Sequence, residues 1–216
     1  LRIWAPPAPL LRHCAEDWAD ALGAERALAP KLWIDAEARA AAAANAPDAA
    51  PLLVLAPGGA QAGKRWPLER FAAVARRLEG GPLRGARIAI MGAAARDAAI
   101  TAAIVRSLDA DGVAASDLGL SPDLLAAAAL MERATLVIGN DNALCHIAAA
   151  AGAPTLTLFG PTDERVRAPL GPRARTLRGR SFEEARALDG AAAMEDVSID
   201  AVEAVALEIL HGGGLR

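Results

Sequence analysis

The chain has 216 residues, of which 54% are apolar and 3% aromatic, and its formal net charge is −3. The apolar fraction suffices for a buried core, which excludes an intrinsically disordered chain. Proteins that bind nucleic acid usually carry a basic surface, so the slightly acidic balance argues against such a partner. No apolar run approaches the roughly 20 residues that span a bilayer. Cys14 and Cys145 have neither metal-ligand spacing nor the pattern of a disulfide framework, which predicts a reducing, cytoplasmic location.

The first 50 residues differ from the rest. They open with a Pro-rich segment, and the first residue is Leu1 rather than Met. Residues 12–22 predict a helix, and residues 36–44 predict a second one. The apolar stripe of the first helix consists of Leu11, Ala15, Trp18 and Leu22. We therefore expect residues 1–50 to be an inter-domain connector with the end of a preceding domain, and residues 51–216 to form one domain.

Strands and helices alternate five times after residue 50. The predicted strands are 51–56, 86–91, 114–118, 134–139 and 154–159. The predicted helices are 67–78, 97–108, one opened by Ser121-Pro122-Asp123, 142–151 and one capped by Ser198. Such alternation is typical of an α/β fold with a Rossmann-like, doubly wound parallel sheet. Ligands of these sheets bind at the carboxyl ends of the strands, so the loops that follow the strands are the candidate binding sites.

The loop after the first strand, P-G-G-A-Q-A-G-K-R-W-P, is rich in glycine. Gly58 and Gly59 permit close backbone approach, and Lys64 adds a cation, which together suit a phosphate. An ordinary glycine-rich turn with a solvated basic pair is the alternative. A P-loop is excluded because Arg65 occupies the position of its Ser or Thr, and Pro67 marks a later helix start. No G-x-G-x-x-G follows this strand either, which disfavours a dinucleotide-dependent oxidoreductase.

The loop after the fourth strand, G-N-D-N-A-L-C-H, places three polar residues before a helix. The free amides and positive dipole end of that helix suit a diphosphate. Asp141 would repel the phosphate charge unless it accepts hydrogen bonds from ribose hydroxyls or loop amides. The structural alternative makes Asp141 or Asn142 a helix cap and His146 a packed core histidine.

Two further loops contain single polar candidates. Thr162, in F-G-P-T-D, could donate a hydrogen bond to a ligand, although a plain turn is the preferred interpretation. Asp97, in M-G-A-A-A-R-D, could reach a sugar hydroxyl, although a helix cap is preferred.

These loops, in this order, resemble glycosyltransferase family 9, the ADP-heptose:lipopolysaccharide heptosyltransferases. The resemblance runs from about residue 51 to 178 and is most specific in L-V-I-G-N-D-N-A-L-C-H-I-A-A-A-A-G-A-P-T-L-T-L-F-G-P-T-D. Residues 13–36 also resemble the segment that joins the two domains of this family. The resemblance implies the C-terminal, donor-binding half of a GT-B enzyme. The acceptor domain, with its catalytic aspartate, has no counterpart here, so we expect this chain alone to be inactive.

The resemblance also implies site residues and partners. Lys64 would contact the donor phosphates and stabilise the leaving group without a metal or cofactor. The implied donor-binding set is Gly58, Gly59, Ala60, Lys64, Asp97, Asp141, Asn142, Ala143, His146 and Thr162. The donor would be a nucleotide-sugar, ADP-linked in this family, and the acceptor a lipopolysaccharide-core or related glycan. Membrane contact would be peripheral at most, at the inner face of the inner membrane.

The chain departs from the family pattern at three places, of which Cys145, before His146, is neutral for function. Asn142-Ala143 stands where Ser or Thr followed by Gly is usual, and Ala143 adds a methyl group where the backbone would approach a phosphate. Asp97 is the one acid near the position after the second strand where the family often has a donor-binding carboxylate. The alternative to an active transferase is a catalytically degenerate nucleotide-sugar-binding or interaction protein with the same fold.

Overall fold

A computed structural model describes residues 12–45, 50–92, 94–119, 123–188 and 190–212. Six parallel strands form one sheet in the order β3-β2-β1-β4-β5-β6. Their bounds are β1 (Leu52–Ala56), β2 (Arg87–Ile90), β3 (Ala115–Asp117), β4 (Leu136–Asn140), β5 (Thr155–Phe159) and β6 (Ala174–Arg178). This strand order is that of a doubly wound sheet and confirms the predicted Rossmann-like fold class.

Ten α-helices are present in the described residues. They are α1 (Cys14–Ala21), α2 (Ala36–Asn45), α3 (Leu68–Gly80), α4 (Ala94–Asp109), α5 (Leu124–Glu132), α6 (Ala143–Ala150), α7 (Glu164–Arg167), α8 (Phe182–Ala185), α9 (Gly190–Glu195) and α10 (Ile199–Leu210). A 3-10 turn occupies Ala62–Lys64. Among the described residues, no helix is both long and apolar enough to cross a bilayer.

The sheet has two faces, and β1 contributes alternate side chains to both. Leu53 and Leu55 enter a core of large side chains that includes Trp66 and Phe71. Val54 and Ala56 enter the other core, which is dominated by alanines from α2, α5 and α6. Strands buried on both faces read as continuous apolar runs, which is why β1, β4 and β5 were recognisable in the sequence.

The expectation of five strands is wrong, because β6 adds a sixth. This strand pairs only with β5, at the edge of the sheet, and its residues are half-buried or exposed. Arg175 and Arg178 interrupt its apolar character. An edge strand with charged side chains lacks the apolar signal of a central one.

The first residues of the observed helices contradict three predictions and confirm one. Asp123 is the cap of α5, since its side chain accepts a hydrogen bond from the Leu125 amide; Ser121 and Pro122 lie outside the described residues. Pro67 precedes α3 as its cap residue instead of opening the helix. Asp97 lies within the first turn of α4, so its predicted capping role is wrong. Ser198 caps α10 as predicted, with its hydroxyl accepting from the Ala201 amide at 3.1 Å.

The buried residues of the N-terminal helix α1 differ from the apolar stripe predicted for it. Trp18 is 59% exposed and Leu22 is 79% exposed, so these two stripe residues are not buried, whereas Ala19 is; Leu11 lies outside the described residues. Further along, Ala38 and Ala42 of α2 are buried in the alanine-rich core. The division of the chain near residue 50 stays a prediction.

Candidate functional site

A cavity of about 280 Å³ lies at the carboxyl ends of β1 and β4. These two strands are neighbours, and the strand order reverses between them, which is where sheets of this type bind ligands. The loop after β1 contributes Gly58, Gly59, Ala60 and Lys64 to the lining. The loop after β4 contributes Asp141, Asn142 and Ala143. These two loops therefore bring seven of the ten candidate residues to the cavity.

Lys64 is held by an ion pair with the opposite loop. Its Nζ lies 3.0 Å from Oδ2 of Asp141, and both side chains are largely buried. The Thr162 hydroxyl donates to the same oxygen at 2.8 Å. Asp141 is therefore satisfied by a cation and a hydroxyl, and it fixes the ammonium group at the cavity wall. Thr162 thus contacts Asp141 but does not itself line the cavity.

The turn that contains Lys64 is braced by its neighbour. Arg65 donates from Nε and Nη2 to the Gly59 carbonyl at 3.0 and 2.7 Å. Its guanidinium also lies 3.8 Å from the carboxylate of Asp97. Arg65 thus links the glycines of the loop to α4 and lies outside the cavity lining.

The amino end of α6 opens at the cavity. Asn142 caps this helix, since its Oδ1 accepts from the amides of Leu144 and Cys145 at 2.9 and 3.2 Å. The helix-cap interpretation is therefore correct for Asn142, which also lines the cavity. Ala143 is exposed there, so its methyl group occupies the space next to the helix end.

Asp97 also lines the cavity, which makes eight of the ten candidates. It is only 2% exposed. A Cβ atom added at Gly58 would lie 2.8 Å from Asp97 Cγ, so the missing side chain of Gly58 lets the carboxylate approach the loop. Arg96 also lines the cavity, and its Nε lies 3.7 Å from Oδ1 of Asp97. This cation is not among the residues that the sequence predicted for the site.

His146 is separate from the cavity. It is exposed on α6 and contributes nothing to the lining, so the interpretation as a packed core histidine is wrong. Desolvation by the surrounding protein lowers the pKa of His146, and the nearby Asp141 charge partly opposes this. His13 and Arg167 add smaller contributions that lower the pKa.

Three apolar side chains of the lining were not predicted. They are Leu124, Leu144 and Ile147. Leu144 and Ile147 are three residues apart on α6 and so share a face. Leu124 opens α5 and is 54% exposed, an unusual state for a leucine that the sequence pattern gave no reason to expect.

The described residues contain no group of three or more His, Cys, Asp or Glu side chains that could hold a metal ion. The charges at and beside the cavity are the cations of Lys64, Arg65 and Arg96 and the carboxylates of Asp97 and Asp141. The four charged residues of the lining sum to zero, and its two cations, Lys64 and Arg96, are the side chains that suit an anionic ligand group.

The family model described as glycosyltransferase family 9 (heptosyltransferase) matches residues 12–197. This chain belongs to that family. It is 30% identical over 165 residues to lipopolysaccharide heptosyltransferase 2 of Salmonella typhimurium, which covers 74% of the chain and 46% of the relative. It is 32% identical over 131 residues to lipooligosaccharide heptosyltransferase 2 of Haemophilus influenzae, which covers 59% of the chain and 36% of the relative. These matches span less than half of each curated relative.

Solved structures agree on the fold. The chain aligns with ADP-heptose lipopolysaccharide heptosyltransferase II of Escherichia coli with a TM-score of 0.71 at 22% identity, over 87% of the chain and 55% of that structure. A family 9 glycosyltransferase from Veillonella parvula aligns with a TM-score of 0.77 at 23% identity, over 93% of the chain and 60% of that structure. These alignments support the Rossmann-like fold, and the resemblance to family 9 is confirmed by the family model.

Proposed function

We propose that this chain binds the nucleotide-sugar donor of a heptosyltransferase-like reaction in the cavity between the ends of β1 and β4. The observation that carries the proposal is the placement of Lys64 beside the amino end of α6. A diphosphate there would accept hydrogen bonds from the ammonium group of Lys64 and from helix-end amides other than those of Leu144 and Cys145, which Asn142 caps. The glycines opposite leave their backbone accessible to the same anion.

The proposed chemistry follows from where charge develops. When the bond between the sugar and the diphosphate breaks, the electron pair stays on the departing phosphate oxygen. Lys64 and the end of α6 would stabilise that charge without a metal ion. Lys64 is thus proposed as the leaving-group stabiliser. ADP is proposed as the nucleotide, in keeping with the solved structure of the Escherichia coli heptosyltransferase WaaC with ADP.

The acceptor and the catalytic base belong to the proposal as well. The relatives are named for lipopolysaccharide and lipooligosaccharide, so we propose a related glycan acceptor. We further propose that the acceptor site and the base lie on a separate domain of the whole protein, and that residues 1–216 bind donor without transferring sugar. Peripheral contact with the inner face of the membrane would bring the site to such an acceptor.

The test is calorimetric titration of the chain with ADP and with ADP-heptose. Loss of a hydrogen bond to a charged group costs about 1.5–3 kcal/mol, so Lys64→Ala is expected to weaken ADP binding roughly 10- to 150-fold. Lys31→Ala is the matched control, because Lys31 is an exposed lysine outside the cavity lining. Its affinity for ADP should equal that of the unmodified chain.

Two outcomes would count against the proposal in different ways. Absence of binding for every nucleotide and nucleotide-sugar tested would remove the donor-binding role itself. Binding of ADP-heptose without transfer by the whole protein would support the degenerate alternative, in which the fold keeps its ligand but has lost its reaction.

A further inference from the structure

Asn140, the last residue of β4, joins the two ends of the loop that contains Lys64. Its side chain is fully buried. Oδ1 accepts from the Trp66 amide at 3.1 Å, and Nδ2 donates to the Pro57 carbonyl at 2.7 Å. Pro57 begins the loop and Trp66 ends it, so one amide group holds the loop closed at its base.

Asn142 holds the same loop from a second position. While Oδ1 caps α6, Nδ2 donates to the carbonyls of Ala56 and Gly58, each at 2.9 Å. In both asparagines the partners of Oδ1 are amides and those of Nδ2 are carbonyls. This pattern fixes which way each side-chain amide is oriented.

These bonds extend the β1–β4 pairing beyond the sheet. The paired residues of the two strands end at Ala56 and Gly139. Beyond that pair, the side chains of Asn140 and Asn142 replace the backbone ladder and bind the chain as far as Gly58. Because a peptide unit is planar, fixing the Gly58 carbonyl also fixes the direction of the Gly59 amide.

Asp141 lies between the two asparagines and holds the tip of Lys64. The three consecutive residues Asn140, Asp141 and Asn142 therefore contact the 57–66 loop at its beginning, at its end and at the ammonium group of its lysine. We infer that Asn140 and Asn142, here called the asparagine clamp, are positioning residues that fix the 57–66 loop and so place Lys64 in the cavity. The inference rests on the proposed function, since it concerns how the same cavity is built to bind a diphosphate.

The variant Asn142→Ser separates the helix-capping role of Asn142 from its hydrogen bonds to the loop. Serine is a good helix cap, so α6 keeps its start, whereas both bonds to Ala56 and Gly58 are lost. With each net hydrogen bond near 1 kcal/mol, the dissociation constant for ADP is expected to rise roughly 5- to 30-fold. Adenosine, which lacks the diphosphate, should bind as tightly to the variant as to the unmodified chain.

A double-mutant cycle tests whether the clamp acts through the lysine. In a Lys64→Ala background, Asn142→Ser should cause little further loss of ADP affinity, because the group it positions is already absent. Ser181→Ala serves as control for the general loss of a helix-cap hydrogen bond, since Ser181 caps α8, whose residues do not line the cavity. Its ADP affinity should be unchanged.

Amide hydrogen exchange provides a measurement without ligand. Asn142→Ser and Asn140→Ser should accelerate exchange in residues 57–66 and leave α10 unaffected. Unchanged exchange in the loop would overturn the clamp, whatever ligand the protein binds. Equal weakening of ADP and adenosine would also overturn it, because it would reveal general damage to the fold.

The two proposals fail in distinguishable ways. If the unmodified chain does not bind ADP, the proposed function fails, and with it the role of the clamp in ligand binding. If the unmodified chain binds ADP and Asn142→Ser binds it equally well, only the positioning role is overturned.

Discussion

The polar and the apolar lining of the cavity are built in different ways. The polar lining, made by the two loops and the start of α6, is tied by hydrogen bonds and an ion pair between residues far apart in sequence. The apolar lining, Leu124 with Leu144 and Ile147, relies on side chains that project from helices, and Leu124 stays more than half exposed. A charged ligand group needs fixed donors, because misplaced dipoles lose most of their effect. An apolar group tolerates looser contacts, since hydrophobic attraction has no direction.

The largest expected effect comes from the substitution Gly58→Ala. Its Cβ would lie 2.8 Å from Asp97 Cγ, so either the loop or the carboxylate must move. Overpacking of this kind typically costs about 1–3 kcal/mol, and in a donor site it should reduce ADP affinity by roughly 5- to 150-fold. Gly80→Ala is the matched control, because a Cβ there meets nothing within 4 Å. Retention of full ADP affinity by Gly58→Ala would contradict the fixed geometry of the polar lining.

A smaller effect is expected from Thr162→Val, which removes the hydroxyl that donates to Asp141 at 2.8 Å. Asp141 keeps its ion pair with Lys64 but loses a restraint, so ADP binding should weaken about three- to tenfold, or up to about 1.4 kcal/mol. Titration calorimetry measures the change. Unchanged or tighter ADP binding by the variant would contradict a role for the Thr162 hydroxyl in the polar lining.

The apolar lining should respond to Leu124→Ala. The change removes up to three carbons from contact with a ligand. Because the Leu124 side chain is 54% exposed, the substitution should have little effect on the stability of the fold. At about 0.8 kcal/mol per buried methylene, roughly fivefold weaker binding is expected, and for adenosine as much as for ADP. Leu188→Ala, another exposed leucine outside the lining, is the control. An effect on ADP without an effect on adenosine would show that the apolar lining does not contact the nucleoside part of the ligand.

The smallest effect is expected from a chelator. If Lys64 and the end of α6 neutralise the diphosphate, ADP affinity in the presence of EDTA should stay within about twofold of its value in untreated buffer. A loss of binding restored by a divalent cation would overturn the metal-independent role proposed for the polar lining.

The central strands could be predicted because burial on both faces leaves continuous apolar runs in β1, β4 and β5. The candidate loops followed from the rule that ligands bind at the carboxyl ends of such strands. The edge strand β6 was missed because arginines interrupt it. The helix-cap interpretation of Asp97 is wrong because α4 begins three residues earlier than predicted, whereas Asp97 as a donor-binding candidate does line the cavity.

The sequence by itself determined the fold class, the family and eight of the residues that line the cavity. These rest on local apolar periodicity and on motif order, both of which are readable along the chain. Tertiary structure alone decided that Lys64 pairs with Asp141, that His146 does not line the cavity and that two asparagines close the loop. These contacts depend on which strands are neighbours in the sheet. The adjacency of β1 and β4, more than 80 residues apart at their paired positions, leaves no local pattern in the sequence.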